Sequence, residues 1–94
     1  MTKMKYEIRT TARFRKDLKK LAKQHKDLGE LEDVIRKLAN GEKLEPKYRD
    51  HQLINGDGLR DCHIEPDWVL LYEYIDSVLV LSLIRTGSHS DLEL

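Results

Sequence analysis

Apolar and charged residues alternate over residues 4–9, with Tyr6 and Ile8 set against Lys5, Glu7 and Arg9, and this period of two predicts a short strand. From Phe14 the spacing changes. Phe14, Leu18, Leu21 and Ala22 fall on one stripe at helical spacing and predict a helix to about Lys26, with lysines and arginines on its other faces. Thr10 or Thr11 can cap its start through the side-chain hydroxyl. Leu31, Val34, Ile35 and Leu38 form the stripe of a second helix that starts near Leu28 and stops at Asn40-Gly41. A brief connection at residues 27–29 makes the two a helical hairpin.

The remaining pattern is that of strands. Residues 42–50 read as a loop carrying Pro46, residues 51–54 as a short strand, and Asn55-Gly56-Asp57-Gly58 as a hairpin turn. Residues 59–65 alternate, placing Cys62 and Ile64 on one face and Asp61, His63 and Glu65 on the other. Pro66-Asp67 makes a turn or bulge. Residues 68–75 and 78–85 are the two most apolar strands, joined by Asp76-Ser77, and residues 86–94 read as a polar tail. The order β-α-α-β-β-β-β predicts an α+β fold: a mostly antiparallel sheet of four or five strands with the N-terminal helical hairpin on one face. The other face stays polar or concave and carries the polar side of residues 59–65.

Composition narrows the class. Ninety-four residues, 39% hydrophobic and 36% charged, fit one small globular domain over residues 1–94 rather than a disordered chain. The single cysteine, Cys62, rules out an internal disulfide and a thiolate metal cluster. Residues 1–5 are not followed by an apolar stretch of the signal-peptide kind. The longest apolar runs, residues 69–72 and 78–81, are too short for a bilayer, so no membrane role and a cytoplasmic location are expected. Seventeen Lys and Arg balance seventeen Asp and Glu, and that zero taken alone argues against a nucleic-acid partner. The balance is uneven, however. Residues 1–26 hold ten bases and two acids, a net of +8, and the rest of the chain is −8. A polyanion can meet a basic element because the local field outweighs the sum.

The candidate chemistry lies in the histidines. His25 belongs to the basic helix and is expected to face solvent, whereas His51, His63 and His89 sit at or near strand ends. Asp61 shares a strand face with His63, Asp67 follows at the next turn, and Arg85 ends the last strand. Brought together on the uncovered face, these groups supply every part of metal-free RNA cleavage. A base takes the 2′-hydroxyl proton, an acid protonates the leaving 5′-oxygen, and a cation steadies the charge on the phosphate. The competing reading of the same residues is ordinary sheet-surface charge. A zinc site fits poorly, since the histidine spacings of twelve and twenty-six match no short ligand pair. The glycines of residues 55–58 form no phosphate-binding loop, and no nucleophile elbow surrounds Ser88 or Ser90. Trp68 can stack a base or lie in the core.

Three segments carry a resemblance: Tyr-Arg-Asp-His-Gln-Leu at 48–53, Leu-Arg-Asp-Cys-His-Ile-Glu-Pro-Asp-Trp-Val-Leu-Leu-Tyr at 59–72, and Arg-Thr-Gly-Ser-His-Ser at 85–90. Together they resemble the YafQ-like branch of the RelE/ParE toxin superfamily over roughly residues 6–92. The resemblance implies a RelE-like fold and a bacterial toxin of a toxin–antitoxin pair. It implies a ribosome-dependent mRNA endonuclease that cuts in the A site and needs neither metal nor cofactor. It also implies a small antitoxin, expected to be of ribbon-helix-helix type. By the match, His89 is the general acid, Arg85 steadies the scissile phosphate, and Asp61 supports the site. His51, His63 and Asp67 remain alternatives for the general base. Lys16, Lys19, Lys20 and Lys23 of the basic helix are the expected contacts to RNA and the ribosome.

Three features depart from the family pattern. Glu93 stands where the family has an aromatic after its last histidine, the turn between His51 and His63 is shorter and lacks a tryptophan, and the chain is not basic overall. A ParE-like gyrase-binding toxin, or a degenerate toxin that only binds its antitoxin and regulates an operon, are the alternatives; the ParE branch lacks the histidine cluster. The neutral net charge carries a consequence. Isolated RNA is expected to bind weakly at physiological salt, with activity depending on the ribosome to present the message. Titration of free RNA tests this, and tight, salt-insensitive binding contradicts it.

Overall fold

The computed structural model describes residues 4–54 and 57–93. Strand β1 (Glu7–Thr10) leads into helices α1 (Ala12–Lys23) and α2 (Leu28–Ala39), then strands β2 (His51–Gln52), β3 (Arg60–Glu65), β4 (Trp68–Ile75) and β5 (Val80–Gly87), and a last short helix α3 (His89–Leu92). The five strands form one sheet in the order β1-β5-β4-β3-β2. All neighbours are antiparallel except β1 and β5, which run parallel. The α+β layout with a helical hairpin on one face agrees with the sequence pattern.

That face holds the main core. Phe14, Leu21, Leu31, Val34 and Leu38 of the helices pack against Cys62, Ile64, Trp68, Leu70 and Tyr72 of the sheet. Cys62 is fully enclosed and burial pushes its thiol pKa up, so it is an inert core residue. Trp68 is core as well. Its indole N–H donates to Thr86 Oγ1 (2.9 Å), and the same hydroxyl donates to the Val69 carbonyl (2.9 Å).

Local chemistry sets the boundaries. Thr11, not Thr10, caps α1: its Oγ1 accepts the Phe14 N–H (3.0 Å) and donates to the Ile84 carbonyl (2.6 Å). α1 stops at Lys23, short of Lys26, because exposed His25 takes a left-handed backbone with φ 60°. Ala22 is exposed, leaving Phe14, Leu18 and Leu21 as the packed stripe. Asp27 caps α2, accepting the Gly29 and Glu30 N–H groups.

Several sequence expectations shift. β1 begins at Glu7, and Ile8 is exposed on this edge strand while Tyr6 is buried. β2 ends at Gln52, with Ile54 exposed; Asn55 and Gly56 of the expected hairpin turn lie outside the described residues. The first residues of the apolar run 78–81 lie in a turn, because Leu79 adopts φ 53° and β5 starts one residue later. The largest change is at the end. β5 continues to Gly87 and the expected polar tail folds into α3, capped by Ser88, whose Oγ accepts the Asp91 N–H (3.1 Å). No helix among the described residues is long and apolar enough to cross a membrane.

Thr86→Val keeps the shape of the core but removes the acceptor of a buried indole N–H. Thermal denaturation is expected to show a loss of about 1–3 kcal/mol; an unchanged melting temperature would show that the Trp68 N–H has another partner.

Candidate active site

The face of the sheet turned away from the hairpin carries the histidines. Cross-strand partners share a face, and the register sets His51 opposite Asp61, Asp61 opposite Leu71, and His63 opposite Val69. Val69 and Leu71 are apolar on this side, and α3 covers them: Leu92 packs on both, flanked by Leu53 and Ile84. Docking of α3 brings His89 beside His63, with ring centroids 5.1 Å apart and planes tilted by 60°.

Asp67, at the β3–β4 turn, locks His89 in place. Its Oδ1 accepts the His89 backbone N–H (3.2 Å) and pairs with the ring Nδ1 (2.8 Å). These hydrogen bonds hold the Asp67 carboxyl below its usual range, so it stays ionised and Nδ1 carries hydrogen. The free Nε2 of His89 is then the atom that exchanges protons with a ligand.

His51 is fixed in a different way. Its Nδ1 bonds the Arg49 carbonyl (2.7 Å), which an imidazole satisfies only by donating, so the neutral ring leaves the Nε2 lone pair open. Asp61 Oδ1 lies 3.2 Å from the same Nδ1 without adding a hydrogen bond. That oxygen is buried with no hydrogen-bond partner among the described residues. Burial pushes the Asp61 carboxyl above its ordinary range, against the opposing pull of His51, His63 and His89. Asp61 is therefore a buried carboxylate ringed by three imidazoles. It acts on them through its charge.

The structure brings His51, His63, His89, Asp61 and Asp67 into one cluster. It does not leave Arg85 free. Arg85 forks onto Asp17 of α1 through Nε (3.1 Å) and a terminal nitrogen (3.0 Å). The cause lies in the sheet edge. β1 pairs with β5 only as far as Leu83, and α1 takes over beyond it, Asp17 Oδ2 accepting the Thr86 N–H (3.1 Å). Between α1 and the β5–α3 junction runs a cleft of about 360 Å³ lined by Arg13, Lys16, Lys20 and Arg85. Lys20 pairs with Asp91 (3.0 Å) on its rim. Lys16 and Lys20 therefore border this cleft with Arg13, while Lys19 falls on another row of the helix. Among the described residues, no group of three or more His, Cys, Asp or Glu side chains is arranged to hold a metal ion.

Sequence reasoning overlooked three positioning residues. Leu92 is one of two leucines in a polar stretch, Asp17 reads as one acid in a basic helix, and Arg49 has a left-handed backbone (φ 48°) that residue type does not announce. For Leu92, the turn-forming Thr-Gly-Ser before it was a usable signal, since serine caps helices.

A helical hairpin on one face of a mixed five-stranded sheet is the fold of the RelE-like class of small toxins. The chain belongs to one family of that class: the model for the bacterial toxin of type II toxin–antitoxin system, YafQ, matches residues 6–94. It is 38% identical over 88 residues to the mRNA interferase toxin YafQ of Escherichia coli (strain K12), spanning 92% of this chain and 94% of that protein. It superposes on a chain of the E. coli DinJ–YafQ toxin–antitoxin complex with TM-score 0.87 and 36% identity, covering 95% of this chain and 98% of that one. A metal-bound toxin from Helicobacter pylori gives TM-score 0.89 and 43% identity, over 93% and 98% of the two chains.

The raised pKa of Asp61 has a sign that can be tested. Its ionised form disfavours the fold above the unfolded carboxylate value near 3.9, and the penalty grows as pH rises through the folded value. Asp61→Asn is expected to raise the melting temperature at pH 7, to leave it unchanged near pH 3, and to lower turnover. A variant less stable at pH 7 would contradict the electrostatic role.

Proposed function

We propose that this toxin is a ribosome-dependent mRNA endonuclease working by metal-independent acid–base chemistry in the A site, with residues 1–94 acting as one domain. The observation that carries the reading is the hydrogen-bonded Asp67–His89 pair, held beside His63 and on the same face as His51. His51 Nε2 takes the proton from the 2′-hydroxyl. The 2′-oxygen attacks phosphorus, the bond to the 5′-oxygen breaks, and that oxygen takes the proton from His89 Nε2. The products are a 2′,3′-cyclic phosphate and a 5′-hydroxyl. His63, between the two, hydrogen-bonds the phosphate, and Asp61 supports all three imidazoles through its charge.

Arg85 reaches the phosphate by exchanging Asp17 for it, at the floor of the cleft that Arg13, Lys16 and Lys20 line. These residues, with Lys19 and Lys23, face the RNA of the message and the ribosome, where backbone phosphates reward local positive charge. The site of action is the cytoplasm, with its translating ribosomes. The E. coli relative is found with DinJ, and a small antitoxin of ribbon-helix-helix type is the expected partner here.

The test is expression in bacteria with message 5′ ends mapped by primer extension, beside His89→Ala. Cuts within reading frames should appear with the parent and fall by about 10²–10⁴-fold in the variant, the usual worth of one proton-transfer group. Cuts that persist in His89→Ala would overturn the mechanism. Growth arrest with intact messages and a DNA-damage response would favour gyrase poisoning instead.

A further inference from the structure

A second cleft, of about 340 Å³, opens on the other side of the histidines from α1, with His63 in its wall and Lys47 and Arg49 at its rim. Both cations are exposed, and neither pairs with a carboxylate among the described residues. Nearby cations differ, for Lys37 meets Glu45 (3.8 Å) and Arg60 meets Asp50 (3.1 Å). The Lys47 ammonium is held 5.0 Å from the centroid of the buried Tyr48 ring. Arg49 is tied to the site by its own backbone, since its carbonyl receives His51 Nδ1 (2.7 Å). Its left-handed backbone (φ 48°) closes the turn that aims this carbonyl at the ring.

We infer that this cleft is a nucleotide subsite for the RNA strand next to the cut, a reading that rests on the endonuclease function above. The phosphate sits at the rim between Lys47 and Arg49, and the base lies toward Ile64 and Pro66. The two acids of the cleft set this direction. Glu65 is neutralised by Lys26 (3.5 Å), while Glu30 lines the wall and keeps a phosphate away from its own carboxylate. With Arg13, Lys16 and Lys20 beyond His89 and this pair beyond His63, the strand crosses the imidazoles between two cationic grips.

The probe is a labelled 2′-O-methyl hexaribonucleotide, which binds but cannot be cut. Its affinity is measured from about 50 to 200 mM salt, where each phosphate contact to a single strand adds about 0.7 to the log–log slope. Lys47→Ala/Arg49→Asn should lower the slope by about 0.7 per charge removed and weaken binding several-fold at the low-salt end. Lys47→Arg/Arg49→Lys should keep the parent slope. Lys5→Ala/Lys43→Ala removes the same charge from a separate cleft beside Tyr6 and should leave the slope unchanged. An equal loss in that separate pair, or a parent slope retained in the first pair, overturns the subsite, as does a parent that shows no salt-dependent binding. Cleavage of programmed ribosomes by the parent and by His89→Ala is read separately. Failure of cleavage with the slope difference intact sinks the endonuclease and spares the subsite, whereas the reverse outcome sinks the subsite alone.

Discussion

Strand β4 is apolar on both faces, and the arrangement of the histidine face follows from covering the second one. Trp68, Leu70 and Tyr72 are met by the helical hairpin, while Val69 and Leu71 point the other way and are just as buried. A sheet of this size leaves no spare helix for them, and a half-exposed central strand forgoes about 25 cal/mol for each Å² of apolar surface left in water. The chain resolves this with its last residues. Leu92 closes over Val69 and Leu71, and the single turn needed to place it carries His89 back across the sheet to His63 and Asp67. Packing and the placement of His89 are thus one event, and its pairing with Asp67 beside His63 exists only when α3 is docked.

This dependence explains what the sequence disclosed and what it hid. The shared face of Asp61 and His63 follows from period two alone, and the structure agrees because β3 is regular where they lie. α3 was not legible: four residues make no periodicity, and Leu92 counts as core only once Val69 and Leu71 are known to need a lid. Arg85 illustrates a second limit. Its position near the histidines is visible in the chain, but its pairing with Asp17 is set by where β1 runs out along β5, a property of the assembled sheet. The rows of α1 lie between these cases. Helical spacing separates Lys16 and Lys20 from Lys19, yet only the neighbouring strand shows which row borders a cleft.

The neutral total charge conceals a division of labour. Many of the acids serve as partners: Asp17 for Arg85, Asp50 for Arg60, Asp91 for Lys20, Glu65 for Lys26, and Glu32 with Asp33 for Arg36. Arg13, Lys16, Lys47 and Arg49 have no such partner among the described residues and lie along the two clefts that flank the histidines. What a polyanion meets is this local distribution, since fields from exposed charges fade over about 8–10 Å at physiological salt. A balanced chain can in this way guide a strand to one place while binding loose RNA weakly.

Two departures from good local structure meet at one side chain. Asp61 keeps a buried oxygen without a hydrogen-bond partner among the described residues, a feature that folded proteins rarely retain. Arg49 sits in a backbone region that a bulky side chain disfavours. Both converge on His51, one through its charge and the other through its carbonyl. Each alone is a modest cost, and neither is needed to close the core, which lies on the opposite face of the sheet. β2 is only two residues long and cannot fix a side chain by pairing alone. The strained carbonyl and the buried carboxylate supply the missing constraint, setting the tautomer of His51 from one side and its electrostatic surroundings from the other. Stability is given up beside an imidazole that a two-residue strand alone would leave loosely held, and the fixed ring is what the proposed acid–base role requires.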